Sequence, residues 1–167
     1  MYDELTEVDI RKMQEEVDYR ENTLMPKILE DVKVARSFGD LSENYEYKAA
    51  KQEQRKNMSR IRYLKQMIAS AVVIEDRSAD DTVGLYDKVV LFMEDDEEEM
   101  IVRFVTTLRQ NALEGLISKE SPLGKTVMGH RVGERLQVTV SEDYSYHVVI
   151  RSIEKGEDDG SVSISGY

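Results

Sequence analysis

Phe38-Gly39-Asp40-Leu41-Ser42 separates two long runs of helical periodicity and thereby decides the fold of the first half of the chain. Before it, apolar residues recur every three or four positions, at Ile10, Met13, Val17, Leu24 or Met25, Ile28, Val32 and Ala35. After it, a second stripe comprises Tyr47, Ala50, Gln54, Asn57, Ile61, Leu64, Ile68 and Ala71. Such stripes are typical of helices that pack along a seam. Two long helices joined by a short turn run antiparallel. Residues 1–76 are therefore predicted to form an antiparallel coiled-coil hairpin, with its tip at 38–43 and arms of roughly 45 Å.

Local signals mark the ends and an interruption of the first helix. Thr6 and Asp9 have the spacing of a helix start, in which the hydroxyl accepts a hydrogen bond from the backbone three residues later. Pro26 removes a backbone donor inside the apolar stripe, so a kink is expected near 22–26. Gly39 can adopt the left-handed conformation that ends a helix.

The second half has the alternation of strands and turns. Residues 88–93 and 99–105 flank an acidic turn, and residues 136–140 and 146–150 flank a polar one, so each pair predicts a β-hairpin. Between the pairs, Ser121-Pro122 predicts a short helix that ends near Gly129. The predicted class is α+β, with a linker at 77–82, a small β domain at 83–155 and a flexible tail at 156–167. Val162 and Ile164 could add an edge strand.

Composition excludes several classes of function. The 167 residues carry a formal net charge of −11 and contain no cysteine, so disulfide frameworks, cysteine zinc sites and thiol nucleophiles are excluded. No apolar run approaches the roughly 20 residues of a membrane span, and the acidic N-terminal residues show no signal peptide, so a cytoplasmic protein is predicted. Strong acidity also argues against sequence-independent coating of DNA.

Two carboxylates at the predicted tip, Asp40 and Glu43, are the first candidate site. Exposed carboxylates are suitable ligands for Mg²⁺, which keeps several waters and is often held by one or two acids plus a substrate phosphate. Their spacing is also that of a helix-capping box, and spacing alone favours capping. The two interpretations are compatible, since a capping acid keeps free lone pairs. Of the two tyrosines beside them, Tyr47 fits the seam and Tyr45 is expected to be exposed.

A basic face behind the tip is the second candidate site. Residues 48–65 contain seven Lys and Arg against the single acid Glu53. Lys48, Lys51 and Arg55 are spaced to share one helical face, which could follow a phosphate backbone. The alternative is an ordinary solvated flank whose bases pair with acids of the other helix. His130 and His147 are isolated and are interpreted as structural or surface residues.

Two segments of this chain resemble signature motifs of the bacterial Gre (GreA/GreB) transcript-cleavage factors. One is Ala35-Arg36 with Gly39-Asp40-Leu41-Ser42-Glu43-Asn44; the other is Leu116-Ile117-Ser118 with Ser121-Pro122-Leu123-Gly124-Lys125. The resemblance covers residues 5–153 and implies a coiled-coil hairpin followed by an FKBP-like domain.

The resemblance also implies a function. The hairpin would enter the secondary channel of bacterial RNA polymerase and stimulate hydrolysis of the 3′ end of backtracked RNA by the polymerase. The factor itself would not be an enzyme. It would bind no cofactor stably, sharing Mg²⁺ with the polymerase active site, and its partners would be the polymerase and the nascent RNA 3′ end, with no membrane.

The same resemblance implies roles for individual residues. Asp40 and Glu43 would be the tip acids that assist Mg²⁺. The other assignments are tip contacts at Asn44, Tyr45 and Tyr47, an RNA-binding face of Arg36, Lys48, Lys51, Arg55 and Lys56, and polymerase docking through Ser121, Pro122, Leu123 and Gly124.

Two other functions stay open at this point. Some relatives keep the fold but inhibit the polymerase without stimulating cleavage, and Tyr45 stands where the family usually has Ala. A generic coiled-coil interaction protein, with Asp40 and Glu43 acting only as helix caps, is the other alternative.

Overall fold

The computed structural model describes residues 4–40 and 43–165. The chain divides into two compact units: Ile10–Val72 forms one, and residues up to Asp9 together with those from Val73 onward form the other. The predicted boundaries were instead residue 76 and a linker at 77–82. A helical hairpin followed by a β-sheet with a short helix confirms the predicted α+β class. Within the described ranges, no helix has both the length and the apolar character to cross a membrane.

The hairpin has two helical arms. Helix α1 (Glu7–Tyr19) begins with the predicted cap, because the amide of Asp9 donates to the Thr6 hydroxyl at 3.2 Å and the amide of Thr6 donates to the Asp9 carboxylate at 2.9 Å. A π-helical turn follows, and α2 (Met25–Arg36) completes the first arm. Helix α3 (Tyr45–Ser70) is the second arm, about 39 Å long at 1.5 Å per residue.

The interruption predicted near Pro26 is the π-helical turn Arg20–Leu24. The amide of Met25 donates to the carbonyl of Arg20, five residues back, and the first arm continues as a helix on both sides. Asn57 on α3 supports the turn from across the hairpin: its amide donates to the Arg20 carbonyl at 3.2 Å and its oxygen accepts from the Arg20 guanidinium at 2.9 Å. The backbone hydrogen bond that Pro26 cannot donate is thus accommodated by a wider, π-helical turn. Asn57, a polar residue of the seam, stabilises this turn.

The seam of the first arm follows the prediction, and that of the second arm departs from it. Ile28, Val32 and Ala35 are buried on α2. On α3 the buried residues are Asn57, Arg60, Leu64 and Met67, whereas Ile61 and Ile68 are only half-buried. Asn57 and Leu64 are therefore in the seam as predicted, whereas Arg60 and Met67 take the places predicted for Ile61 and Ile68.

The second unit is built on a five-stranded sheet with the order β5-β4-β3-β7-β6. Its strands are β3 (Lys88–Met93), β4 (Glu98–Val105), β5 (Leu116–Ser118), β6 (Arg135–Thr139) and β7 (Ser145–Glu154). Both predicted hairpins, β3–β4 and β6–β7, are antiparallel as expected. Strand β5, which runs parallel to β4, was not predicted. Two short strands, β1 (Glu4–Leu5) and β2 (Val72–Val73), pair separately.

Helix α4 (Pro122–Val127) packs on one face of this sheet and closes its core. Leu123 and Val127 of the helix cluster with buried residues of β3, β4, β6 and β7. Its cap is the predicted one, since the Ser121 hydroxyl accepts from the amide of Gly124 at 3.0 Å. The helix therefore belongs to the core of the domain.

The C-terminal segment is held against the domain through Ser165. Asp158 forms an ion pair with Arg109 at 2.8 Å, and the amide of Ser165 donates to the Leu108 carbonyl at 2.7 Å. Val162 and Ile164 form no edge strand. The part of the predicted tail that the structure describes is therefore tied to the segment around residues 106–110.

Candidate functional site

The hairpin tip is organised by Asn44. Its side-chain oxygen accepts from the amide of Tyr47 at 3.0 Å, which caps α3, and its amide donates to the carbonyl of Ala35 at 2.7 Å, at the end of α2. Gly39 has a φ of +120°, a conformation that favours glycine. The N-cap residue of α3 is therefore Asn44 and not Asp40. The side-chain amide of Asn44 supplies both the donor and the acceptor of these two bonds.

Asp40 and Glu43 are both exposed and line one shallow depression, together with Phe38, Asn44, Tyr45 and Glu46. Leu41 and Ser42, which belong to the predicted tip, lie outside the described residues. The oxygen donors of this depression are of the kind that Mg²⁺ prefers. Among the residues that the structure describes, no three acidic, His or Cys side chains are grouped as a metal site.

The aromatic side chains at the tip differ in exposure. Tyr45 is 81% exposed and Phe38 is 65% exposed, so both flank the acids from the solvent side. The Lys48 ammonium lies 5.7 Å from the centre of the Tyr45 ring. Tyr47 is half-buried, with the Arg36 guanidinium 5.7 Å from its ring. Cation–π contacts thus hold two of the predicted basic residues near the tip.

Two of the seven bases in residues 48–65 pair with acids of the first arm. Arg60 is buried and forms an ion pair at 2.8 Å with Glu16 of the first arm, and Lys65 pairs with Glu21 of the same arm. These two bases follow the alternative prediction, in which α3 pairs with acids of the other helix. The sequence could not reveal this, because the partners are 44 residues apart.

The four α3 bases that were assigned to an RNA-binding face lie on the outer side of the helix. Lys48, Arg55 and Lys56 are exposed and Lys51 is half-buried. Lys51 donates to the side chain of Gln54 at 2.8 Å, and Lys56 lies 3.5 Å from Glu53 on the same helix. These contacts are local to α3, so the four bases are presented by one helix.

The predicted docking residues differ in accessibility. Pro122 is exposed and Ser121 is half-buried, but Leu123 and Gly124 are buried. A Cβ at Gly124 would lie 2.5 Å from the carbonyl oxygen of Ser118. Leu123 and Gly124 therefore contribute to the packing of the domain core. Of the four predicted docking residues, only Ser121 and Pro122 are accessible to a partner.

Both parts of the chain match models of known protein families. The family model "Transcription elongation factor, N-terminal" matches residues 4–73, and "Transcription elongation factor, GreA/GreB, C-term" matches residues 78–155. The chain belongs to the GreA/GreB family of transcription elongation factors. This confirms the resemblance found in the sequence and implies RNA polymerase as a partner.

Individual GreA/GreB relatives match over most of their length. Transcription elongation factor GreA of Bacillus licheniformis is 40% identical over 135 residues, which are 80% of this chain and 85% of that protein. GreA of Oenococcus oeni is 36% identical over 154 residues, 92% of this chain and 95% of that protein. Among solved structures, GreA factor homolog 1 of Thermus thermophilus matches 93% of this chain and 100% of its own, with 24% identity and a TM-score of 0.42.

Proposed function

We propose that this protein inserts its hairpin into the secondary channel of RNA polymerase and stimulates cleavage of the 3′ end of backtracked RNA by the polymerase. The observation that supports this most is the position of two exposed acids, Asp40 and Glu43, which line one depression at the tip of the hairpin. Their exposure places both carboxylates where an approaching partner would meet them.

The chemistry of the tip suits a shared metal site. Mg²⁺ in such a site would stabilise the attacking and leaving oxygens of the hydrolysis. Asp40 and Glu43 would supply carboxylate oxygens to it and orient a water. Two exposed carboxylates alone are too few to hold Mg²⁺ tightly, so the remaining ligands would come from the polymerase. The protein on its own would therefore catalyse no hydrolysis.

The basic side of α3 suits a nucleic-acid strand near the tip. Lys48 is close to Tyr45, Arg36 is close to Tyr47, and Lys51, Arg55 and Lys56 continue along the helix. Cations spaced along one helix can follow a phosphate backbone. We assign them to the RNA 3′ segment that backtracking extrudes.

A stalled, backtracked elongation complex with 3′-labelled RNA tests this function. The wild-type protein should release a short labelled fragment in Mg²⁺, and Asp40→Asn and Glu43→Gln should each abolish the release while still competing with the wild type for the polymerase. Glu30→Gln and Asp31→Asn are matched controls, since they neutralise exposed acids on α2 away from the tip. Both should cleave normally.

The outcomes separate the alternatives. Inhibition of transcription without a shortened RNA would replace this proposal with a channel inhibitor. Normal cleavage by Asp40→Asn and Glu43→Gln would remove the tip acids from the mechanism.

A further inference from the structure

Two exposed aromatic side chains line the depression that also contains the tip acids. Phe38 lies two residues beyond the end of α2 and is 65% exposed, whereas Tyr45 is the first residue of α3 and is 81% exposed. The rings therefore come from the two arms of the hairpin and border one open space of about 620 Å³. The cleavage function proposed above uses the acids and leaves both rings without a contact.

Folding of the hairpin does not account for either ring. A side chain stabilises the fold in proportion to the apolar area that it removes from water, and Phe38 and Tyr45 remain largely in solvent. Tyr47, by contrast, is half-buried. Single exposed apolar residues are common on protein surfaces, but apolar side chains grouped in one depression mark a binding surface.

Lysine and arginine side chains continue from the rings along α3. The Lys48 ammonium lies 5.7 Å from the centre of the Tyr45 ring, which is still largely accessible, and Lys51 and Arg55 follow on the same helix. Proteins bind single-stranded nucleic acid with this combination, because bases stack on aromatic rings while phosphates follow the cations. The acids of the depression repel a phosphate but accept an uncharged base. A base on the rings, with its phosphates toward Lys48, matches both features.

We propose that Tyr45, together with Phe38, stacks on a base of the extruded RNA 3′ segment and so positions the phosphodiester to be cleaved at the tip acids. This inference rests on the proposed function, since it requires the tip to meet backtracked RNA. Tyr45 is then a positioning residue, because the acids and not the ring face the reacting atoms. Every base has a π-face, so stacking holds RNA of any sequence.

Photochemical crosslinking tests this contact without relying on cleavage. Backtracked elongation complexes are assembled with iodouridine at successive positions of the extruded RNA, bound to the full-length protein without added Mg²⁺, and irradiated. Iodouracil couples to aromatic rings on which it stacks. We expect a crosslink that maps to Tyr45 or Phe38 in the wild type, that persists in Tyr45→Phe and that falls several-fold in Tyr45→Ala.

Cleavage kinetics provide the second readout. Tyr45→Ala should lower the maximal rate roughly tenfold, as expected for one lost stacking contact, while its melting temperature and the protein concentration for half-maximal cleavage match the wild type. Tyr45→Phe keeps the ring and should restore the rate to within about twofold. The matched control is Tyr19→Ala, which removes a 54% exposed tyrosine of α1, well before the tip, and should cleave normally.

The outcomes keep this inference separate from the cleavage function. Normal cleavage by the wild type without a crosslink to Tyr45 or Phe38 would overturn the inference and leave the role of the acids intact. A crosslink without cleavage would support the stacking contact and make the protein an inhibitor that holds RNA. If Tyr45→Ala raises the half-maximal concentration at an unchanged maximal rate, Tyr45 contacts the polymerase and the inference is overturned.

Discussion

The side-chain amide of Asn44 donates to the main-chain oxygen of Ala35 at 2.7 Å, and this bond ties the start of α3 to the end of α2. The same side chain caps α3 through the amide of Tyr47. The two arms are thus joined directly at the tip by one residue, next to the acids Asp40 and Glu43. The position of those acids should depend on Asn44.

Replacing Asn44 should loosen the tip. Asn44→Ala removes both bonds and should lower the free energy of unfolding by about 1–2 kcal/mol, as expected for a lost helix cap. Asn44→Asp keeps the acceptor for Tyr47 but loses the donor to Ala35, so its loss should be smaller. Urea unfolding measures both, and the 3′-cleavage assay should rank the variants in the same order. An Asn44→Ala protein as stable as the wild type would contradict this role.

The sequence predicted those parts of the fold that depend on neighbouring residues. The stripe ending in Val32 and Ala35 predicts α2, and alternation within 88–93 and 99–105 predicts a hairpin that the structure contains. The acids Asp40 and Glu43 were found because they are close in sequence. Features of this kind need no knowledge of distant partners.

Features that depend on distant residues were missed. The sequence showed Arg60 only as one of the bases in residues 48–65, and its burial in the seam depends on Glu16 of the other arm. Strand β5 has only three residues and is defined by its parallel pairing with β4. The cap was placed at Asp40 although Asn44 and Tyr47 have the same spacing; what the sequence could not show is the second bond of Asn44, which crosses the hairpin to Ala35.

The hairpin should lose stability in acid through Glu16. Burial alone would raise the pKa of Glu16, but hydrogen bonds from Arg60 and Arg20 outweigh it, and the pKa is lowered from 4.5. A carboxyl whose folded pKa is depressed stabilises the protein above its unfolded pKa. That contribution is lost as the pH falls through the folded value. Wild-type melting temperatures should therefore decline more steeply below pH 4.5 than those of Glu16→Gln.

Glu15→Gln is the control for this pH dependence. Glu15 is the neighbouring acid and its side chain is 69% exposed, with Arg11 at 3.9 Å. Exposed pairs of this kind contribute little to stability, so the melting curves of Glu15→Gln should follow those of the wild type. Identical pH profiles for Glu16→Gln and the wild type would refute the assignment to Glu16.

Gly124→Ala should destabilise the second unit. A Cβ at this position would lie 2.5 Å from the Ser118 carbonyl oxygen and 2.7 Å from that of Lys119, and backbone atoms cannot move aside as a flexible side chain can. Forced contacts in a packed core cost about 1–3 kcal/mol. Thermal unfolding should show the loss. Thr126→Ala, on the same short helix but half-buried, is the comparison and should cost less.

Arg109 should be the most sensitive charged residue of the second unit. Its guanidinium is fully buried and bonds Asp9 at 2.9 Å and Asp158 at 2.8 Å. Arg109→Met would leave the buried Asp9 carboxylate without its cation, and breaking a buried pair costs about 3–5 kcal/mol. Chemical denaturation should show this loss, and hydrogen exchange should show faster exchange of the Ser165 amide, which is bonded to Leu108 beside Arg109.

Two further substitutions separate lost pairing from lost packing. If the cost of Arg109→Met comes from the unpaired acids, adding Asp9→Asn and Asp158→Asn should recover part of it, because neutral amides tolerate burial better than carboxylates. Thr106 would still donate to the side-chain oxygen of residue 9, as it now does at 2.8 Å. If the triple variant is less stable than Arg109→Met alone, the packing of these side chains dominates and the ion pairs are secondary.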